Sequence, residues 1–165
     1  MQLQTSTLLL RAIEGADIHH IYKGLSHPDV IQYYDVSFHS LEATKEQMEW
    51  YAKPEQHWFA ICDAISHEFL GAVGLNDVSK IHHKAEIGLW LMPENWGKGI
   101  MKEAMTLICQ YGFKQLQLHR LEVMVDTENT NCKRAMAKLD FQYEGTLREC
   151  EFKNDSYISV EIYSK

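Results

Sequence analysis

The chain has little in it that divides, staples or charges it positively. Only three prolines, Pro28, Pro54 and Pro93, interrupt its 165 residues. No proline-rich linker, repeat or low-complexity tract is visible, so one domain spanning residues 1–165 is expected. No apolar run approaches the roughly 20 residues that cross a bilayer. The opening Met1-Gln2-Leu3-Gln4-Thr5-Ser6 has no basic stretch leading an apolar core, so no signal peptide is expected. Cys62, Cys109, Cys132 and Cys150 show no Cys-x-x-Cys spacing and read as free thiols of a reducing, cytoplasmic compartment. Histidines are plentiful but scattered, and the adjacent pairs His19-His20 and His82-His83 point their side chains apart on a helix or strand. No metal site is expected. Basic charge is short as well, 16 Lys and Arg against 23 Asp and Glu, for a net charge of −7. That balance disfavours nucleic acid and anionic membranes as partners and suits cationic ones such as amines.

What the chain does have is a glycine turn between an apolar strand and a helix. The stretch runs Ala85-Glu86-Ile87-Gly88-Leu89-Trp90-Leu91-Met92, stops at Pro93, turns through Trp96-Gly97-Lys98-Gly99, and continues as Ile100-Met101-Lys102. Glycines at such a junction let backbone amides approach a phosphate, and a helix N-terminus adds a favourable partial charge. A P-loop would need a glycine five positions before Gly97, where Met92 stands, and Ser or Thr after the lysine, where Gly99 stands. A dinucleotide fingerprint would need a glycine at Lys102. Both fail.

Periodicity places the turn in a larger pattern. Strands are predicted over 7–13, 58–62, 69–75, 83–92, 121–125, 141–152 and 157–163. Helices are predicted over 17–25, 41–53, 99–116 and 129–139. The order β, α, α, β, β, β, α, β, α, β, β implies a mixed, mostly antiparallel α/β sheet of about seven strands flanked by about four helices. Trp50, Tyr51, Trp58 and Phe59 suit aromatic core packing better than an acceptor lining.

In this setting the chain resembles the GCN5-related N-acetyltransferases (GNAT). That family writes Gln/Arg-x-x-Gly-x-Gly/Ala after its fourth strand. Here the six positions are Trp96-Gly97-Lys98-Gly99-Ile100-Met101, in the form used by the branch that acetylates the N-termini of ribosomal proteins. The branch also runs Asn-x-x-Ser-x-Arg, Glu-Lys-Leu-Gly-Phe and Glu-Gly-x-Leu-Arg. The chain has Asn129-Thr130-Asn131-Cys132-Lys133-Arg134, then Ala137-Lys138-Leu139-Asp140-Phe141, then Glu144-Gly145-Thr146-Leu147-Arg148. Asp140 replaces a glycine that ends a helix in the left-handed region, at a cost of about 1 kcal/mol.

The resemblance implies acetyl-CoA as co-substrate, no metal, an amine acceptor and a homodimer. It implies a cleft where the fourth and fifth strands splay. Amides from Gly97 to Lys102, with Trp96 and Arg134 nearby, would hold the pyrophosphate. The Leu91-Met92 backbone would pair with the pantetheine arm, and Asn129 would reach it or simply cap its helix. Attack on a thioester needs a neutral amine, so a base must remove a proton. Glu86 is one candidate, with Gly88 leaving room on the same strand face. Glu151, in Cys150-Glu151-Phe152-Lys153-Asn154-Asp155, is another. Cys132 stands where a serine is proposed to protonate the departing thiolate. The tyrosine acid of other members is replaced by Met136, which counts against a polyamine enzyme of that type. The leading acceptor is a protein N-terminal α-amine. A small amine, polyamine or antibiotic acceptor, and a non-enzymatic acyl-CoA module, are the alternatives.

Overall fold

Leu8, Leu9 and Leu10 are consecutive and all buried, as befits a strand covered on both faces. In this computed structural model, which describes residues 2–165, that strand is one of eight in a single sheet. In chain order the strands are β1 (Gln2–Gln4), β2 (Leu8–Ala12), β3 (His57–Asp63), β4 (Phe69–Ser79), β5 (Lys84–Leu91), β6 (Arg120–Asp126), β7 (Gln142–Lys153) and β8 (Ser156–Ser164). The helices are α1 (Ile18–Leu25), α2 (Pro28–Ile31), α3 (Leu41–Tyr51), α4 (Ile100–Gln110) and α5 (Thr130–Lys138). The spatial order is β1-β2-β3-β4-β5-β6-β8-β7. All neighbours are antiparallel except β5 and β6.

Two elements exceed the expected count. At three residues, β1 is too short to leave a periodic signal. The single turn of α2 opens on Pro28, whose fixed φ suits a first helical position, and His27 Nδ1 accepts from the Asp29 amide at 3.2 Å. The helix expected to reach Leu116 stops at Gln110 and passes into one π turn over Tyr111–Gln115.

The period-2 alternation of the central strands divides the core. On one face Leu10, Ile61, Val73, Leu75, Ile87 and Leu91 pack with Ile108 of α4 and Met136 of α5. On the other, Leu9, Ala60, Ala72 and Trp90 pack with Ile21 and Leu25 of α1 and Tyr51 of α3. Trp50 and Trp58 join this second core, with rings 6.1 Å apart. The β7–β8 turn places Asn154 and Asp155 at φ of 50° and 59°, the left-handed pair that a two-residue hairpin favours. Asp140 takes the expected helix-ending position with φ of 59°.

Candidate active site

Strands β5 and β6 pair at three positions only: Lys84 with Arg120, Ala85 with Leu121, and Glu86 with Glu122. Both continue, to Leu91 and Asp126, without pairing again. The outer edge of β5 is bonded to β4 and that of β6 to β8, so the two strands diverge. The wedge between them is a cleft of about 870 Å³, walled also by the start of α4, by α5, by the loop after α2 and by the β7–β8 hairpin.

One end of the cleft is the glycine turn. After β5 a 3-10 turn at Pro93–Asn95 leads to Gly97 and Gly99, whose φ values are +72° and +80°. That region costs residues with a Cβ about 1 kcal/mol or more. No atom lies within 4 Å of a Cβ added at either position, so open space fronts the turn. Gly99 is the N-cap of α4 and brings no side chain to bind the first amides. Gly97, Gly99, Ile100, Met101 and Lys102 line the wall there. Unpartnered amides at the positive end of an eleven-residue helix form a seat for an anion such as a diphosphate. Trp96 also lines the cleft, and its indole donates to the Leu91 carbonyl at 3.0 Å. That bond ties the turn to the strand end. Lys98 lies outside the wall and reaches Asn95 Oδ1 at 3.4 Å.

The strand edge differs from expectation at Met92. Its amide donates to the Leu70 carbonyl and its own carbonyl accepts from the Asn95 amide, both at 2.9 Å. Met92 is buried and absent from the wall. Because backbone groups alternate sides along a strand, the bond from Met92 to β4 sends those of Leu91, Leu89 and Ile87 towards the cleft. The edge of β5 that faces the cleft is therefore that of Ile87, Leu89 and Leu91, with the Leu91 carbonyl held by Trp96, and Met92 has neither its amide nor its carbonyl free for a ligand.

On the opposite side, Asn129 caps α5, its Oδ1 accepting from the Cys132 amide at 3.2 Å. The amide nitrogen of its side chain has no partner among the described residues, so capping and reaching a ligand are compatible. Cys132 lines the cleft, and burial pushes its thiol up to about 11. It stays protonated at neutral pH. Arg134 is exposed on α5 and is not part of the wall.

Glu86 sits at the last paired rung, where the wedge opens. Burial pushes its carboxyl up to about 7, and the carboxylates of Asp35, Asp77, Glu122 and Glu151 reinforce the shift. It shares a strand face with Trp90, whereas Cys132 belongs to the helix on the other face. The two groups thus flank the cleft from opposite sides of the sheet. The room expected beside Gly88 is filled. A Cβ there would lie 2.6 Å from the Trp58 ring, and Trp58 is fixed by its indole bond to Asn76 Oδ1 at 2.8 Å. Glu151 is exposed on β7 and also faces the cleft.

The loop after α2 is a wall that the sequence does not announce. Tyr34 and Asp35 line the cleft there. Burial, with the charges of Tyr51, Asp35 and Glu86 adding to it, raises the Tyr34 phenol well above its ordinary range. Lys153, across the cleft, donates to the Tyr34 carbonyl. Only the aromatic and acidic cluster Tyr33-Tyr34-Asp35, just past the break at Pro28, hints at this. Among the described residues no cluster of metal-binding side chains occurs, and no helix is long and apolar enough to cross a membrane.

Residues 7–142 match the family described as the Acetyltransferase (GNAT) domain. The chain is 31% identical over 153 residues to a spermidine N(1)-acetyltransferase of Escherichia coli, covering 90% of this chain and 80% of the relative. It is 28% identical over 98 residues to a ribosomal-protein-serine acetyltransferase of Escherichia coli, covering 59% and 55%. A solved structure of spermidine N-acetyltransferase from Vibrio cholerae in complex with CoA and spermine superposes with a TM-score of 0.90 at 26% identity. It covers 98% of this chain and 96% of that one.

Proposed function

Because the chain belongs to the GNAT acetyltransferase family, and so moves an acetyl group from acetyl-CoA to an amine, we propose that its acceptor is the N-terminal α-amine of a protein and that Glu86 removes the proton. The observation that carries this is the position and acidity of Glu86: a carboxyl at the apex of the wedge, pushed up to about 7. An α-amine has an ordinary pKa of about 8 and an alkyl primary amine about 10.4. A base near 7 therefore takes a proton from the first at a cost of about 1.4 kcal/mol. The second costs over 3 kcal/mol more. The absence of a tyrosine at Met136 adds to this preference.

Acetyl-CoA fits the cleft and supplies the activated acyl carbon. Gly97, Gly99 and the amides of Ile100 to Lys102 hold the diphosphate in this reading. The backbones of Ile87, Leu89 and Leu91 orient the acyl-pantetheine arm, and the Leu89 amide, nearer than Leu91 to the Glu86 rung, is the donor to the oxygen that gains charge. Glu86 receives the amine proton from one side of the sheet. Cys132 on the other side is placed at the departing sulfur. Its thiol at about 11 is a weaker acid than an ordinary thiol at about 8.5, so its part is a hydrogen bond to the thiolate rather than full proton transfer. Glu151 contributes negative charge along the acceptor path.

The spermidine-acetylating relatives and the acidic cleft favour a second reading, a polyamine acceptor. Free-thiol release from acetyl-CoA separates the two, using N-terminal peptides, Nα-blocked peptides and spermidine. Turnover with free N-termini and little with spermidine supports the α-amine. Efficient turnover with spermidine alone overturns it.

A further inference from the structure

Lys153, at the last position of β7, bridges the mouth of the cleft. Its ammonium donates to the Tyr34 carbonyl, 119 residues away in sequence, and so joins the β7–β8 hairpin to the loop after α2. Three acidic side chains surround it in the wall: Asp35 from that loop, Asp126 at the end of β6, and Glu151 two residues back on its own strand. None of the ion pairs among the described residues includes it. Burial opposes the charge on Lys153, and the three carboxylates favour it. The chain's own alkylammonium thus stands in the same wall as three carboxylates that act on its charge, none of them within 4 Å of it.

Asp35 and Glu151 beside the bridge also act on Glu86, so in the reading above the bridge borders the space that the acceptor takes. An acceptor with one amine delivers that amine to the apex and leaves the corner alone. A diamine or polyamine brings a second ammonium along the same path, into a corner where Lys153 already offsets one of the three negative charges and repels a further cation. We propose that Lys153 is a specificity-determining residue, whose ammonium holds the acidic corner of the cleft and disfavours acceptors carrying two or more ammonium groups. The proposal rests on the acceptor reading given above. It adds the residue that enforces it. Like charges within a few ångströms in a partly wet cleft repel by about tenfold in affinity or more.

Three variants separate the charge of Lys153 from its bond to Tyr34. Lys153→Gln keeps a donor for the carbonyl and loses the charge. Lys153→Met loses both, and Lys153→Arg keeps both. The readout is the affinity of spermidine for the CoA-bound protein by calorimetry, which needs no turnover. Folding is checked by a thermal melt, and the spermidine-to-peptide ratio of kcat/KM is taken alongside. Spermidine affinity is expected to tighten about tenfold in Lys153→Gln and Lys153→Met and to stay unchanged in Lys153→Arg. If Lys153→Gln behaves as the parent while Lys153→Met alone differs, the residue is a strap and the proposal falls. Equal spermidine affinity in all three also overturns it. The parent's own preference between peptide and spermidine judges the acceptor reading separately, since the inference concerns only the change on losing the charge.

Discussion

Glu86 and Glu122 face each other across the last rung of the only parallel pair in the described sheet, and their acidities move in opposite directions. Glu122 is partly buried, which alone would raise it. The Arg120 guanidinium at 2.7 Å and the Lys84 ammonium at 3.2 Å instead hold it below the usual carboxylate range. Arg120 is itself fixed by a two-pronged bond to Glu144 at 2.6 Å. Glu86 has burial and four nearby carboxylates, and is pushed up to about 7. Two neighbouring carboxyl groups held in different ionisation states are a means of placing a base at neutral pH.

The rate follows from that state. Glu86 accepts a proton only when ionised, so kcat/KM is expected to rise with pH through about 7. Glu86→Gln is expected to lower kcat by about 10²–10⁴-fold and to abolish that limb of the profile. Calorimetry should find its affinity for coenzyme A within about twofold of the parent, because the diphosphate seat is untouched. A parent-like rate at every pH removes Glu86 as the base.

The same shift bears on stability. A carboxyl whose pKa is raised on folding favours the folded state below its ordinary value of 4.5, and that contribution is lost as pH rises through about 7. Glu86→Gln is neutral throughout. It is therefore expected to melt near the parent at pH 4 and above it at pH 8, by on the order of 2 kcal/mol after allowance for partial solvation. Thermal melts at the two pH values check this. A variant less stable than the parent at pH 8 contradicts the burial of an ionised Glu86.

The glycine turn offers a test of the diphosphate seat. Space is open at Gly99, so Gly99→Ala introduces no clash and acts through its φ of +80°. The expected loss is about 1 kcal/mol of stability. Moving the first amides of α4 should also weaken coenzyme A by tenfold or more in calorimetry. Loss of stability with affinity unchanged would leave the turn as a mere connector.

The strands, the main helices and the glycine turn were legible because each is written locally, in period-2 or helical apolar spacing or in a junction that needs positive φ. The wedge was legible through the family motif after β5. Three features were not. Met92 lost its role to hydrogen bonds with Leu70 and Asn95, which depend on the register of β4 against β5 and leave no trace in residue type. Gly88 looked like vacant space, yet its missing side chain admits the Trp58 ring from β3. Tyr34 and Lys153 meet over 119 residues of sequence; Tyr34 sits in no periodic or motif-bearing stretch, and the stretch around Glu151 that contains Lys153 says nothing of this partner. Long-range closure of this kind is set by how loops pack, not by their composition.

The four thiols give a last test, because their reactivity depends on burial and on the thiolate fraction. Cys150 is exposed, Cys132 half-buried, and Cys62 and Cys109 are buried. Burial pushes Cys132 and Cys109 up to about 11 and raises Cys62 as well. At pH 7 a thiol near 11 is ionised in only about one molecule in 10⁴. Brief exposure to iodoacetamide, followed by peptide mass spectrometry, should therefore label Cys150 first and Cys132 far more slowly. Cys62 and Cys109 should react only after unfolding. Coenzyme A should slow the labelling of Cys132 and leave Cys150 unaffected, since only Cys132 lines the cleft. If Cys132 reacts as fast as Cys150, its thiol is a ready source of thiolate at neutral pH. It could not then remain protonated beside the departing sulfur, and the hydrogen-bonding part assigned to it would fall.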